Sequence, residues 1–138
     1  RFGDPECQTL MPLLGDELGA VLQACALGRL DLAPTLTIST RCSACVVAAA
    51  EGYPNAPRKG DAIHSNHQTD DSHQLFHAGT HRQPDGRLTT SGGRVLAVVA
   101  QGDDFDAAFA AAYSDMAAIN FPGITYRHDI GHQVRSNQ

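Results

Sequence analysis

The sequence is poor in charge, in lysine and in long apolar runs. Charged residues are 18% of 138, against roughly 25% in ordinary soluble domains, and the formal net charge is −5. Such a balance argues against nucleic acid or an anionic membrane as the main partner, because either requires a basic face. No apolar stretch approaches the roughly 20 residues that cross a bilayer. The opening residues do not read as a secretory signal, and the absence of an initiating methionine leaves anything upstream open. Of the ten basic residues, Lys59 is the single lysine and the other nine are arginines. Arginine's planar fork suits bidentate capture of phosphate or carboxylate, although gene base composition produces the same bias.

What is present is small and apolar. Hydrophobic residues reach 42% with 13 glycines, enough for one compact domain, or a small domain plus part of another. The four cysteines are Cys7, Cys25, Cys42 and Cys45. Cys25 sits in a helical apolar pattern and Cys45 opens an apolar run, so both read as small buried hydrophobes and the default is a cytosolic thiol.

Periodicity divides the chain. Leu10, Leu13, Leu14, Leu18, Val21, Leu22 and Cys25 recur at helical spacing over residues 5–27, with Pro12 and Gly15 splitting the segment and Gly28 ending it. From about residue 34 the character turns to strands. Thr35 to Ser39 alternates, Cys45 to Ala50 is a continuous apolar run, and short strands are expected at Gln74–His77 and Arg87–Ser91. Arg94 to Ala100 is the strongest strand signal. Asp103 and Asp104 offer an N-cap to a helix reaching about Ile119, with Phe105, Ala108, Phe109, Ala112, Tyr113 and Met116 on one face. Gly123 to Tyr126 would be a last strand, and His64 to Gln74 a polar, exposed loop. The fold class is therefore α+β: a helical N-terminal segment, then a small β-rich domain with one long helix.

Four constellations could carry chemistry. Cys42-x-x-Cys45 with His64-x-x-His67 offers zinc-like spacing, provided that the four ligands converge. Solvated histidines and inert thiols are the simpler reading. His128 and His132 would share a helix face if that segment were helical. Thr90-Ser91-Gly92-Gly93-Arg94 combines a free backbone with a guanidinium, suited to an anion or to an ordinary glycine turn. The opening Arg1-Phe2-Gly3-Asp4-Pro5-Glu6 reads as a helix start with Asp4 as N-cap, Pro5 in the first turn and Glu6 complementing the dipole. Arg1 and Gly3 are unexplained by that role. A helix N-terminus is also an anion site, so the two readings are compatible.

These blocks carry a resemblance. Arg1 to Glu6, Cys45 to Pro54, Lys59-Gly60-Asp61, Phe76 to Thr80, Gly92 to Val98 and Tyr126 to Gly131 occur in order, and together resemble the C-terminal third of the phosphoribosylamine–glycine ligase family. The segment from His64 to His73 fits that family least. The resemblance implies an ATP-grasp architecture, with residues 1–28 as the end of the ATP-grasp domain, 33–131 as the small C-terminal domain, and 132–138 as a tail or linker. It implies a reaction joining glycine to 5-phosphoribosylamine with ATP and Mg2+, through an acyl phosphate, in the second step of de novo purine synthesis. It also implies a cytoplasmic enzyme, in some organisms fused to other purine-pathway enzymes.

Carried over by motif position, Arg1 would stand beside the transferred phosphate and Asp4 near glycine or the ribosylamine. Glu6, Gly92, Gly93 and Arg94 would bind substrate, Arg94 gripping the ribose 5-phosphate. The family's magnesium ligands, a glutamate and an asparagine, precede the arginine matching Arg1, so the segment alone is expected to be inactive. The competing readings are a non-catalytic scaffolding module and a small zinc-binding domain.

Overall fold

A computed structural model describes residues 2–135; Arg1, a predicted site residue, and positions 136–138 of the expected tail lie outside the described residues. From the N-terminus the elements are α1 (Glu6–Leu10), a 3-10 turn (Met11–Leu13), α2 (Leu18–Ala26) and a second 3-10 turn (Leu30–Leu32). Then follow β1 (Cys42–Ala49), β2 (His64–Ser65), β3 (His73–His77), β4 (Thr80–Arg82), β5 (Leu88–Thr90), β6 (Arg94–Gly102), α3 (Phe105–Ala117) and β7 (Ile119–Asn120).

Strand β6 is the centre of an antiparallel sheet with order β1-β6-β3. Every residue from Val95 to Ala100 is buried, so both faces of this strand are covered, which explains a continuous apolar run in place of alternation. Register puts Val46, Val98 and Leu75 side by side, and Val47, Ala97 and Phe76 beside one another in the next row. Successive rows point to opposite faces.

On the first face, Ala44, Val46, Ala48, Leu96, Val98 and Ala100 meet α3 through Ala108, Phe109, Ala112 and Met116. Asp104 caps that helix, its carboxylate accepting a hydrogen bond from the Ala107 amide at 2.7 Å. Gly102 lets the helix start close to the strand end, because a Cβ there would collide with the backbone of Ala107 and Ala108. On the second face, Cys45, Ala97 and Val99 form a smaller cluster with Val47 and Phe76. The N-terminal segment crosses this face, α1 touching β1 and β6.

Helix α3 also anchors the C-terminal segment. The Tyr113 hydroxyl donates to the Arg127 carbonyl at 2.9 Å and accepts from the Ile130 amide at 3.0 Å. Gly131, at φ 77°, lies so near Phe109 that any Cβ would overlap its ring.

Several expectations are corrected. Thr35 to Ser39 forms no strand: Ile38 makes one isolated bridge to Leu14 and is 64% exposed, because no sheet edge is close enough to extend it. Gly123 to Tyr126 contributes only a bridge from Thr125 to Ala49, while the pairing strand falls earlier, at β7, against β2. Cys25 is exposed, since α2 has no buried residue at all. Phe105, expected on the buried face of α3, is 40% exposed.

The histidine-rich segment is not simply a solvated loop. The His67 side chain is 1% exposed with Nε2 at 3.5 Å from Asp115 Oδ2, and His73 Nδ1 lies 2.6 Å from the same oxygen. His73 thus fastens the loop to the last turn of α3, and the buried His67 Nε2 lies beside the same carboxylate without a hydrogen bond.

The core under α3 gives a direct test. Met116 is fully buried, so Met116→Ala should cost about 2–5 kcal/mol in chemical denaturation. A loss below about 0.5 kcal/mol would mean that α3 does not seal this face.

Candidate functional site

The charged opening segment and the glycine-arginine turn, distant in sequence, meet at the edge of the second face. Asp4 is not a helix cap: the cap position falls on Pro5, with no side-chain cap bond. Its carboxylate instead faces Arg94, with Nη2 to Oδ2 at 3.2 Å, and Arg94 Nη1 donates to the Asp4 carbonyl, also at 3.2 Å. Gln8 Nε2 approaches the other carboxylate oxygen at 3.4 Å. Both charged side chains are nearly half exposed, so the pair contributes at most about 1 kcal/mol. Its consequence is geometric, because it holds the loop before α1 against the start of β6.

Around this pair lies an open groove of about 630 Å³, walled by Phe2, Gly3, Cys7 and Phe76, with Asp4 and Arg94 among its polar groups. Glu6 points elsewhere. It lines a neighbouring groove of about 380 Å³ together with Ser43, Cys45 and Arg127. The fold therefore brings Asp4 and Arg94 together, while Glu6 faces the adjacent groove beyond α1.

Gly92 and Gly93 have packing reasons for lacking side chains. A Cβ on Gly92 would sit 3.1 Å from the Gly79 Cα, and one on Gly93 would overlap the Tyr53 ring. Gly93 thereby leaves room for the Tyr53 ring, which lines a groove together with Arg94. Tyr53 follows a turn that needs Gly52 at φ 83°, where a Cβ would strike the Ala56 carbonyl.

A third groove, of about 420 Å³, has Arg94 and Arg127 with Tyr53, Tyr126 and Thr125 around it. Arg127 is paired bidentately with Asp129, Nε to Oδ1 at 2.8 Å and Nη2 to Oδ2 at 2.7 Å. Hydrogen bonding to Arg127 holds the Asp129 carboxyl below its usual range, and the same contact raises Arg127.

The zinc geometry fails on strand alternation. Cys42 and Cys45 are three residues apart on β1, so Cys42 packs with the cluster of the first face and Cys45 with that of the second. His64 is exposed on β2, and the His67 side chain is buried beside Asp115 on α3, away from both cysteines' strand. Among the described residues no group of three or more histidines, cysteines or carboxylates could hold a metal ion. His128 and His132 lie outside any helix: the His128 ring is 4.6 Å from the Tyr126 ring centroid, and His132 Nδ1 meets the Asp129 carbonyl at 3.0 Å.

Tyr53, Phe76 and Arg127 line these grooves, yet no spacing marks them in the sequence. Each lies inside one of the ordered blocks quoted above, and that was their only signal.

The fold and its grooves define a small α+β domain, with one long helix sealing the first sheet face and a charged cleft along the edge of the second. The chain belongs to the family described as phosphoribosylglycinamide synthetase, C domain, whose match spans residues 43–133. It is 44% identical to the phosphoribosylamine–glycine ligase of Synechocystis sp. over 97% of its length and 32% of that protein. It is 45% identical to the bifunctional purine biosynthetic protein ADE1 of Schizosaccharomyces pombe, over 97% of the chain and 17% of that protein. The crystal structure of phosphoribosylamine–glycine ligase from Thermotoga maritima superposes with a TM-score of 0.77 at 31% identity, covering 92% of this chain and 30% of that one. The chain thus spans about a third of the length of the single-function ligases that it matches.

The cleft floor yields a thiol test. Burial pushes the Cys45 thiol up to about 11, with a hydrogen bond from Thr9 opposing and the Asp4 charge assisting. At about pH 8 Cys45 should resist alkylation while the exposed Cys25 reacts. Faster labelling of Cys45 than of Cys25 in the native chain, read by peptide mass spectrometry, would show that α1 does not cover this face.

Proposed function

We propose that this chain forms the C-terminal wall of an ATP-dependent carbon–nitrogen ligase that joins glycine to 5-phosphoribosylamine, with ATP converted to ADP and phosphate, in the second step of de novo purine synthesis. The observation that carries this reading is the Asp4–Arg94 pair, which joins the two charged motifs of the family resemblance in one cleft. In this reading residues 1–28 close an ATP-grasp domain and residues 33–131 form the domain that abuts it.

The chemistry asks for groups of both signs. Arg94 supplies a guanidinium for the phosphate of the ribosylamine, with the Gly92-Gly93 turn keeping its flank open to Tyr53. Asp4 supplies a carboxylate that can accept hydrogen bonds from the amino group of glycine or of the ribosylamine, orienting it for attack. Arg1 neutralises charge on the phosphate leaving the activated carboxyl group, and Glu6 contacts substrate from the neighbouring groove. Among the described residues no cluster of histidines, cysteines or carboxylates could hold a metal ion, and the ligase reading assigns ATP and Mg2+ to the two-thirds of the relatives that this chain does not span. No step is derived through them.

A cytoplasmic setting fits a purine ligase. No helix among the described residues is long and apolar enough to cross a membrane. Fusion to a further purine enzyme is compatible with the bifunctional relative's name.

The test has two arms. The chain by itself, given glycine, phosphoribosylamine, ATP and Mg2+, should release no ADP beyond background. Joined to the N-terminal two-thirds of the Synechocystis ligase, it should support turnover, and Arg94→Ala should then raise KM for phosphoribosylamine by roughly tenfold or more with KM for ATP unchanged. An unchanged KM for phosphoribosylamine would remove Arg94 from its role. A chimera that folds yet does not turn over would count against the whole reading.

A further inference from the structure

We infer that Tyr113 of α3 is a positioning residue for the ligase reaction: its hydroxyl sets the turn from Arg127 to Ile130, and so the guanidinium that shares a groove with Arg94. The reaction in this statement rests on the ligase reading; the geometry does not.

Arg127 and Ile130 are three residues apart, the separation at which a carbonyl and an amide close an ordinary β-turn. No direct backbone bond joins them here. The phenolic hydroxyl stands between the two groups, donating to the Arg127 carbonyl at 2.9 Å and accepting from the Ile130 amide at 3.0 Å. One oxygen therefore satisfies both ends of the turn and holds it open. Between those ends Asp129 pairs bidentately with Arg127. The width of the turn thus also sets the direction of the guanidinium.

Tyr113 itself lines none of the three grooves, whereas Arg127 lines two of them and Ile130 one. Its effect on the cleft therefore passes through the backbone of the turn. The hydroxyl is held in place because the Tyr113 ring packs against the core cluster under α3. Other contacts on the same side of the helix keep the segment attached. Gly131 lies against the Phe109 ring, the Arg135 guanidinium is 5.9 Å from the centre of that ring, and its Nε is 3.4 Å from Asp106 Oδ1. Asp106, Phe109 and Tyr113 follow the helical spacing of three and four residues. Loss of the hydroxyl would leave the segment docked but its turn free to close on itself or to admit water. A displacement of about an ångström at a charged contact is enough to weaken a substrate complex.

Tyr113→Phe removes the oxygen and keeps the ring. In the chimera with the N-terminal two-thirds of the Synechocystis ligase it should raise KM for phosphoribosylamine about fivefold or more, with KM for ATP unchanged and kcat within about twofold. Asp104→Ala removes the cap of the same helix and serves as the stability control. It should lower the melting temperature at least as far and leave both KM values unchanged. In the chain alone, hydrogen exchange at the Ile130 amide should be at least about tenfold faster in Tyr113→Phe than in the unsubstituted chain or in Asp104→Ala.

An unchanged KM for phosphoribosylamine in Tyr113→Phe would overturn the role. An equal rise in Asp104→Ala would reduce Tyr113 to a support of α3 and overturn it too. Unaltered exchange at Ile130 would show that the hydroxyl does not hold the turn, with the same consequence whatever the kinetics. The ligase reading fails by a different result, a folded but inactive unsubstituted chimera, which removes the reaction and this role with it. Turnover with an unmoved KM in Tyr113→Phe keeps that reading and discards only the positioning.

Discussion

Everything in this fold follows from a strand that cannot tolerate water on either side. Val95 to Ala100 of β6 are all buried, and at about 25 cal/mol per Å² of apolar surface the exposure of either face would be costly. Strand β1 and strand β3 cover its edges, α3 covers one face, and the N-terminal segment must cross the other. That last requirement brings the charged residues before α1 to the margin of the sheet.

The two covers are unequal, and the inequality locates the cleft. Under α3 the packing is complete, with Ala108, Ala112 and Met116 fully excluded from solvent. Beneath α1 it is shallow: the helix spans Glu6–Leu10 and contains no buried residue. Grooves therefore open on both flanks of α1, and polar groups at the sheet edge line them. Asp4 and Arg94 close one side, while Arg127, held by Tyr113, flanks the other. Individually these exposed pairs stabilise the fold little. Their value is to hold charged forks in fixed positions on a rigid sheet, which is what recognition of a small anion needs.

Much of the scaffold is legible in the sequence because local and tertiary preferences agree. The apolar run at β6, the Asp104 cap, the helical face of Ala108, Phe109, Ala112 and Met116, and the stop at Gly28 all read correctly. Failures occur where a local signal lost to a distant partner. Asp4 has the composition of a cap but is drawn to Arg94, and His67 looks solvated but is buried against Asp115. Thr35 to Ser39 alternates like a strand yet meets no sheet edge. Cys25 fits an apolar helical stripe, but nothing among the described residues buries it.

The candidate site divides in the same way. Arg94, Gly92 and Gly93 stood out as an anion-suited turn, and the ordered blocks pointed to one family, later matched over residues 43–133. By itself the sequence determined which segments are apolar enough to form the sheet and the long helix, and which motifs tie the chain to that family, because those properties belong to residues and their near neighbours. Only the tertiary structure decided that Asp4 reaches Arg94, that Glu6 faces a different groove, and that Tyr53 and Arg127 stand beside Arg94. Those relations are set by strand register and by helix docking across 90 residues of chain, and no local periodicity encodes them.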